Sequence, residues 1–286
     1  MLIDNHIHIW TDRTPQNAAM LRDMDAHGVD RVCLFAPEPA YTMAEGAEKT
    51  SFNTARLQTA MNWCQGSNGR LLPIYWIDPT EGDAIDQVNR ALDAGITGFK
   101  IICQHFYPGD ARALPVYQHI ADAGKSILFH SGILWDFGEN ARYNRPGNWE
   151  AMLHVKNLRF ALAHISWPWC DELIAVFGKF GAMRLDPFRG NVPNPLYTGQ
   201  EMYIDMTPGT PACYRQEVIQ KLIGVNYELM TDRLLFGTDQ LAEEFSAEGL
   251  TDLMASDAAY FDKCGVSKAD QQKIFHDNAL RFWGIA

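Results

Sequence analysis

The amino-acid sequence predicts an α/β fold, a closed (β/α)8 or TIM barrel with an extra C-terminal helix, and three observations carry that reading. Eight short apolar runs recur along the chain, each followed by a turn and then an amphipathic stretch. Most of the runs are apolar on both faces, which suits parallel strands covered by helices better than half-solvated antiparallel ones. The 286 residues sit at the upper edge of one hydrophobic core. Parallel strands joined by helices also build open doubly wound sheets, but eight units in about 250 residues favour the barrel.

Taken in order, the first run covers 2–9 and leads to a helix near 15–27, where Thr14-Pro15 offers a cap with proline at the first helical position and His27-Gly28 a C-terminal glycine. The run 31–36, with Leu34-Phe35, precedes a helix over 51–65 that Ser51 caps. The runs 71–77 and 97–103 precede helices over 82–94 and 111–123, ended by Ala94-Gly95 and Ala123-Gly124. The run 126–130 carries Ile127-Leu128-Phe129 and precedes a helix over 148–156, and the run 159–165 precedes one over 168–179. The runs 201–206 and 233–237 are followed by helices over 211–224 and 243–263, and a ninth helix over 268–282 ends the chain. No linker or low-complexity stretch interrupts this alternation, so one domain, 1–286, is expected. Three loops are long, 37–50, 131–147 and 181–200. The first two follow strand ends, where barrels build their sites, and the third precedes a strand, which assigns part of it to the opposite face.

Composition narrows the class. With 47% hydrophobic and 21% charged residues the chain is an ordinary globular protein, neither disordered nor fibrous. Lys plus Arg number 24 against 35 Asp plus Glu, a net charge of −11, which argues against nucleic acid or an anionic membrane as partner. No apolar run approaches the roughly 18 residues needed to span a bilayer. Met1-Leu2-Ile3-Asp4 lacks the features of a signal peptide, so a cytoplasmic location is expected. Six scattered cysteines without a C-x-x-C pair read as reduced, mostly buried thiols.

The chemistry concentrates at strand ends. In Asp4-Asn5-His6-Ile7-His8-Ile9-Trp10 the two histidines stand at i and i+2, so on a strand both imidazoles face the same side, about 7 Å apart along the chain. A pair of core histidines is the bland alternative. His130 closes the fifth run, His164 the sixth, and Asp239 follows the eighth in Gly237-Thr238-Asp239. In a barrel these ends ring one mouth, so four imidazoles and a carboxylate gather. Such a donor set suits Zn²⁺ or another first-row divalent ion with room left for water or substrate.

These motifs resemble those of the amidohydrolase superfamily of metal-dependent hydrolases. Phe129-His130-Ser131-Gly132, Arg145-Pro146 ahead of a helix, 163–169 (Ala-His-Ile-Ser-Trp-Pro-Trp), 235–239 (Leu-Phe-Gly-Thr-Asp) and 278–284 (Asn-Ala-Leu-Arg-Phe-Trp-Gly) are similar to its amidohydrolase-related branch. That branch contains aminocarboxymuconate semialdehyde decarboxylase, resorcylate decarboxylases and lactone hydrolases, and the resemblance runs from residue 2 to about 284. It implies that His6, His8, His130 and Asp239 hold one divalent ion, with Zn²⁺ expected, Mn²⁺ the alternative and no second ion. His164 is then the catalytic histidine, or a further ligand if a second ion binds. A bound divalent ion lowers the pKa of its water towards about 7 and polarises a carbonyl, while Asp239 takes and passes on a proton. His164 is expected to stabilise the oxyanion or position the attacked carbonyl.

Lys100 is the ambiguous residue. In two-metal members of the superfamily a lysine near this place is carboxylated and bridges the ions; contact with a substrate carboxylate is the role expected here, and a snorkelling structural lysine the bland one. Trp10 could wall the pocket. The loop carrying Trp135, Arg142, Tyr143 and Arg145 mixes aromatic and basic groups over the mouth, and the arginines could grip a carboxylate bidentately. Asp78 reads as a turn residue, and Asp205 as either a partner behind the ligands or a strand cap. His27, His119, His154 and His276 receive no role, and no nucleotide-binding or serine-hydrolase motif is present.

The expected activity is hydrolysis of a small organic substrate, a lactone, ester or amide carrying a carboxylate. The alternative is non-oxidative decarboxylation or hydration of an aromatic or unsaturated acid by the same residues, and a non-catalytic metal protein is the third reading. Apart from the substrate, a second copy of the chain is the one partner left open.

Overall fold

The computed structural model describes residues 1–10, 15–186, 189–190, 192–226 and 229–285. In chain order its elements are β1 Ile3–His8, α1 Asn17–His27, β2 Arg31–Phe35, α2 Ala47–Cys64, β3 Leu71–Trp76, α3 Ala84–Asp93, β4 Gly98–Ile101, α4 Ala113–Asp122 and β5 Ser126–Phe129. There follow β6 Arg159–Leu162, α5 Cys170–Ala182, a small hairpin of β7 Leu185–Asp186 and β8 Val192–Pro193, β9 Glu201–Asp205 and α6 Ala212–Gly224. The chain closes with β10 Leu234–Leu235, β11 Gln240–Leu241, α7 Ala247–Lys263, α8 Lys268–Gln272 and α9 Asn278–Trp283.

One curled parallel sheet runs β10-β9-β6-β5-β4-β3-β2-β1-β11. Its two outermost pieces belong to one segment, so the expected eighth strand exists as two short parts. Leu234 and Leu235 pair with Ile204 and Asp205, while Gln240 and Leu241 pair with Ile7 and His8. Between them the Phe236 carbonyl accepts from the Asn5 amide at 3.0 Å and the Asp239 amide donates to the His6 carbonyl at 2.9 Å. The segment therefore bonds to both sheet edges and closes the barrel expected from the sequence.

The two apolar faces of each strand have separate destinations. Val32, Leu34, Ile127, Phe129, Phe160 and Leu162 join the layer under the helices. Their alternates Cys33, Phe35, Leu128 and Ala161 fill the lumen, together with Leu72, Ile74 and Tyr203. The terminal helix also belongs there. Ala279, Phe282 and Trp283 join the lumen cluster, and the Trp283 indole donates to Asn5 Oδ1 at 2.6 Å. Gly98 opens β4 directly against that ring, where a Cβ would lie 2.2 Å from Trp283. The extra helix thus plugs the end of the barrel where the strands begin, and leaves the other end for a site.

Several boundaries depart from expectation. Helix α2 begins at Ala47, so Ser51 lies inside it and its hydroxyl donates back to the Ala47 carbonyl at 2.9 Å instead of capping. The segment expected as a helix over 148–156 is a 3₁₀ stretch, Pro146–His154, with Pro146 in the first turn. Strand β4 stops at Ile101, two residues early, and part of 181–200 forms the β7–β8 hairpin. Gly28, Gly95 and Gly124 adopt left-handed backbone at helix ends as expected, whereas Thr14 lies outside the described residues. Among the described residues no helix is long and apolar enough to cross a membrane.

Candidate metal centre

Strand β1 delivers two imidazoles to the open end of the barrel. His6 Nε2 and His8 Nε2 lie 3.2 Å apart, and Asp239 Oδ1 lies 3.2 Å from the first and 3.5 Å from the second. The register of β1 on β2 shifts between Asp4 and Ile7, the stretch that carries His6. Three nitrogen and oxygen donors at this spacing can enclose a divalent ion.

Fixed hydrogen bonds orient His6. Its Nδ1 donates to Asp205 Oδ2 at 2.6 Å, which turns Nε2 towards Asp239, while Asp205 Oδ1 accepts the Thr207 amide at 2.8 Å. Asp205 therefore fills both of the roles left open for it. Asp4 ties β1 to the turn before Asp239, since its carboxylate accepts from the amides of His6 and Thr238 and from the Thr238 hydroxyl. Gly237 is required at that crossing: a Cβ there would stand 2.6 Å from Thr207 Cγ2 and 3.0 Å from His6 Cβ.

His164 and Asp239 both sit in left-handed backbone, with φ of 61° each, and Ile165 and Ser166 share the conformation. Such residues store strain and concentrate at sites where side chains must be aimed. His164 Nδ1 donates to the Pro208 carbonyl at 3.0 Å and lies 4.0 Å from Asp239 Oδ2. One ligand atom from each of His6, His164 and Asp239 lies within 4.8 Å of the others. His164 thus belongs to the same donor cluster as His6 and Asp239. Gly209 packs against it, where a Cβ would be 2.6 Å from His164 Cβ.

His130 is 4% exposed, its ring centroid lies 4.8 Å from that of His164, and its Nε2 has no hydrogen-bond partner. An orphaned nitrogen in a buried polar cluster is costly unless a ligand satisfies it. Burial also holds His6, His8 and His130 well below the usual imidazole range and lowers His164 to about 4, so all four rings are neutral near pH 7. Neutral imidazoles with available lone pairs are what a divalent ion needs, and the residues present fit one. The oxyanion role expected of His164 needs a proton on Nε2. A neutral ring whose Nδ1 proton goes to a carbonyl has none there, and presents a lone pair instead.

Lys100 is fully buried at the end of β4, with Nζ 3.4 Å from His6 Nε2. Burial lowers its ammonium to about 8, against the pull of Asp205 and Asp239. Burial likewise pushes the Asp239 carboxyl up to about 7, with Lys100 acting the other way. Above these groups opens a cavity of about 390 Å³ whose lining includes His8, Lys100, His130, His164 and Asp239. Trp10 and Trp135 stand at its rim, and Trp76, Glu38 and Asp136, to which the sequence assigns no role, line it too. Trp76 was within reach of strand parity, since Leu72 and Ile74 of the same strand face the lumen.

The remaining loop residues are not in the cavity lining. Arg142 donates to the Tyr143 hydroxyl at 2.8 Å and stacks on that ring, and Arg145 pairs with Glu172 at 2.7 Å over Trp169. Tyr143 packs against Tyr107 on a separate surface. Arg142, Tyr143 and Arg145, expected to contact substrate, are instead engaged by these local partners and do not line the cavity.

Comparison with known proteins gives a consistent picture. The amidohydrolase family model matches residues 3–285. No curated protein matches the sequence. Among solved structures the chain is similar to 5-carboxyvanillate decarboxylase LigW from Sphingomonas paucimobilis, with TM-score 0.63 and 16% identity over 100% of this chain and 99% of that one. It is also similar to an amidohydrolase II, with TM-score 0.64 and 16% identity over 99% and 100% of the two chains. The IDCase of Metarhizium anisopliae follows at TM-score 0.60 and 18% identity, over 94% of this chain and 79% of that one. At such identities the structures attest the barrel alone, whereas the family match spans nearly the whole sequence: the chain is an enzyme of the amidohydrolase family.

Proposed function

We propose that the protein is a metal-dependent hydrolase of a small lactone, ester or amide. The observation that carries this reading is the donor cluster at the open end of the barrel: ligand atoms of His6, His164 and Asp239 lie within 4.8 Å of one another, His8 Nε2 is 3.5 Å from Asp239, and His130 beside His164 has a buried, unpartnered Nε2. His6, His8, His130 and Asp239 would hold one divalent ion, Zn²⁺ before Mn²⁺. Such an ion supplies Lewis-acid polarisation of a carbonyl and activates water at neutral pH.

The chain's own groups perform the rest. Asp205 fixes the tautomer of His6 through Nδ1. Asp239, partly exposed to the cavity, takes the proton of the attacking water and returns it to the leaving group. His164, held through Nδ1 by the Pro208 carbonyl, presents the Nε2 lone pair to the reacting group as a proton acceptor. The substrate is a small molecule, and the cytoplasm is the expected location.

The carboxylate first expected on the substrate loses its arginine partners. One observation still favours the rival decarboxylase: the Lys100 ammonium at the cavity floor could pair with a carboxylate beside the metal ligands. The test is to load the chain with zinc and assay panels of lactones, esters, amides and unsaturated or aromatic acids. Acid release without carbon dioxide supports hydrolysis. Carbon dioxide release from an acid establishes the lyase and refutes the hydrolase.

A further inference from the structure

The rim of the cavity differs in character from its floor. Trp10 and Trp135 are 63% and 75% exposed there, and Trp76 continues the aromatic wall inward. Trp135 stands nearly parallel to Trp167, with ring planes 10° apart and centroids 6.4 Å apart. Two carboxylates, Glu38 and Asp136, complete the rim. Gln104 donates to Glu38 Oε1 at 2.8 Å, and the Gly138 amide and Asn140 side chain engage Asp136. Both carboxylates are thus held by neutral donors, and neither forms an ion pair among the described residues. Partial burial raises the Glu38 carboxyl above its ordinary range, and the neighbouring Asp136 pushes it further.

Arg56 acts on Glu38 from a distance and draws its carboxyl down, but no cation forms an ion pair with either carboxylate among the described residues. Among the described residues of the lining Lys100 is the one cationic side chain, and it lies at the floor against His6. The arginines of the 131–147 loop are engaged by Tyr143 and Glu172 outside the cavity. Aromatic faces beside carboxylates that lack an ion-pair partner attract a nitrogen cation and repel an anion. The same cavity carries the unpartnered, buried Nε2 of His130, which marks it as a ligand site and not merely a cluster of surface charges.

We propose that the substrate carries a cationic nitrogen at the end remote from the bond that reacts, seated against Trp10, Trp76 and Trp135 and between the carboxylates of Glu38 and Asp136. This rests on the reading of the metal cluster as the reacting end, and it sets the substrate apart from the carboxylate-bearing one that the loop arginines suggest. The reacting end meets the imidazoles and Lys100; the distal ammonium or amidinium remains at the rim.

The test uses the full chain without added metal, titrated with benzylammonium, benzyl alcohol and benzoate and followed by tryptophan fluorescence. Benzylammonium is expected to bind at least about tenfold more tightly than benzyl alcohol, and benzoate more weakly than either, with the preference shrinking as salt rises. In Glu38→Gln/Asp136→Asn the ratio should fall to about one, and Glu38→Lys should turn the preference towards benzoate. Both positions are at the solvent-exposed rim, so folding is checked by circular dichroism. Benzoate binding as tightly as benzylammonium overturns the proposal, and so does a preference that survives in the double variant. A separate titration of the unsubstituted chain with zinc tells the two readings apart: failure to bind zinc refutes the metal centre and leaves the rim preference to stand or fall on its own ratio.

Discussion

Arg215 offers the sharpest test of the packing that supports the site. Its guanidinium, on α6, donates to both oxygens of Asp257 on α7 at 2.7 and 2.6 Å, and Nη2 also reaches the Met206 carbonyl at 2.9 Å, just after Asp205. Arg215 is 5% exposed and Asp257 fully buried. Replacing Arg215 with Met leaves a buried carboxylate without its cation, a change that generally costs about 3–5 kcal/mol. Protonation sets a ceiling. Neutralising an aspartate of ordinary value 3.8 costs about 1.4 kcal/mol per pH unit, so roughly 4 kcal/mol at pH 7 and under about 2 kcal/mol at pH 5.

The sign follows from the direction of the shift. Burial already raises the Asp257 carboxyl and Arg215 lowers it, so Arg215→Met raises it further. A carboxyl raised in the folded state gives stability that is present below its unfolded value and lost as pH rises. The deficit of the variant against the parent should therefore be about 4 kcal/mol at pH 7 and smaller by about 2–3 kcal/mol at pH 5, measured by urea unfolding at both values. Arg215→Met/Asp257→Leu should recover at least half of the loss and show no such pH dependence. An equal deficit at both pH values, or a double variant as unstable as the single one, refutes the reasoning.

Other consequences are more direct. Asp205→Asn removes the carboxylate that orients His6 and should weaken zinc binding by about 10–100-fold in a chelator competition; a change under about threefold contradicts that role. Asp239→Asn should abolish turnover of any substrate found while the fold persists by circular dichroism, and unchanged turnover shows that the proton carrier lies elsewhere. Gly98→Ala should cost about 1–3 kcal/mol by thermal or urea unfolding, because its Cβ would meet Trp283; full stability shows that the plug can yield. Arg142→Ala and Arg145→Ala should each leave kcat/KM within about twofold, whereas a loss beyond about tenfold returns these residues to the substrate site.

The legible part of the molecule was what barrel topology converts into position. His6, His8, His130, His164 and Asp239 come from four strand ends, and parallel closure brings those ends to one mouth whatever lies between them. Partnerships between distant residues were not legible. Asp205 meets His6 across 199 positions, so no local pattern chooses between its two readings. The partner of Arg145, Glu172, lies on the following helix, and a basic loop does not announce which carboxylate already holds it. The residue type of Ser51 favours a cap, but the helix starts earlier, at Ala47, and the hydroxyl bonds inside it. The plug formed by Trp283 depends on the lack of a side chain at Gly98, a match between residues 185 positions apart that periodicity does not reveal.

The metal centre is tested most directly by anomalous diffraction at the zinc edge from crystals of the full chain incubated with zinc. The account predicts one peak enclosed by His6, His8, His130 and Asp239, within about 2.0–2.2 Å of nitrogen and oxygen donors. No peak among these residues, or zinc bound only at the surface, contradicts it.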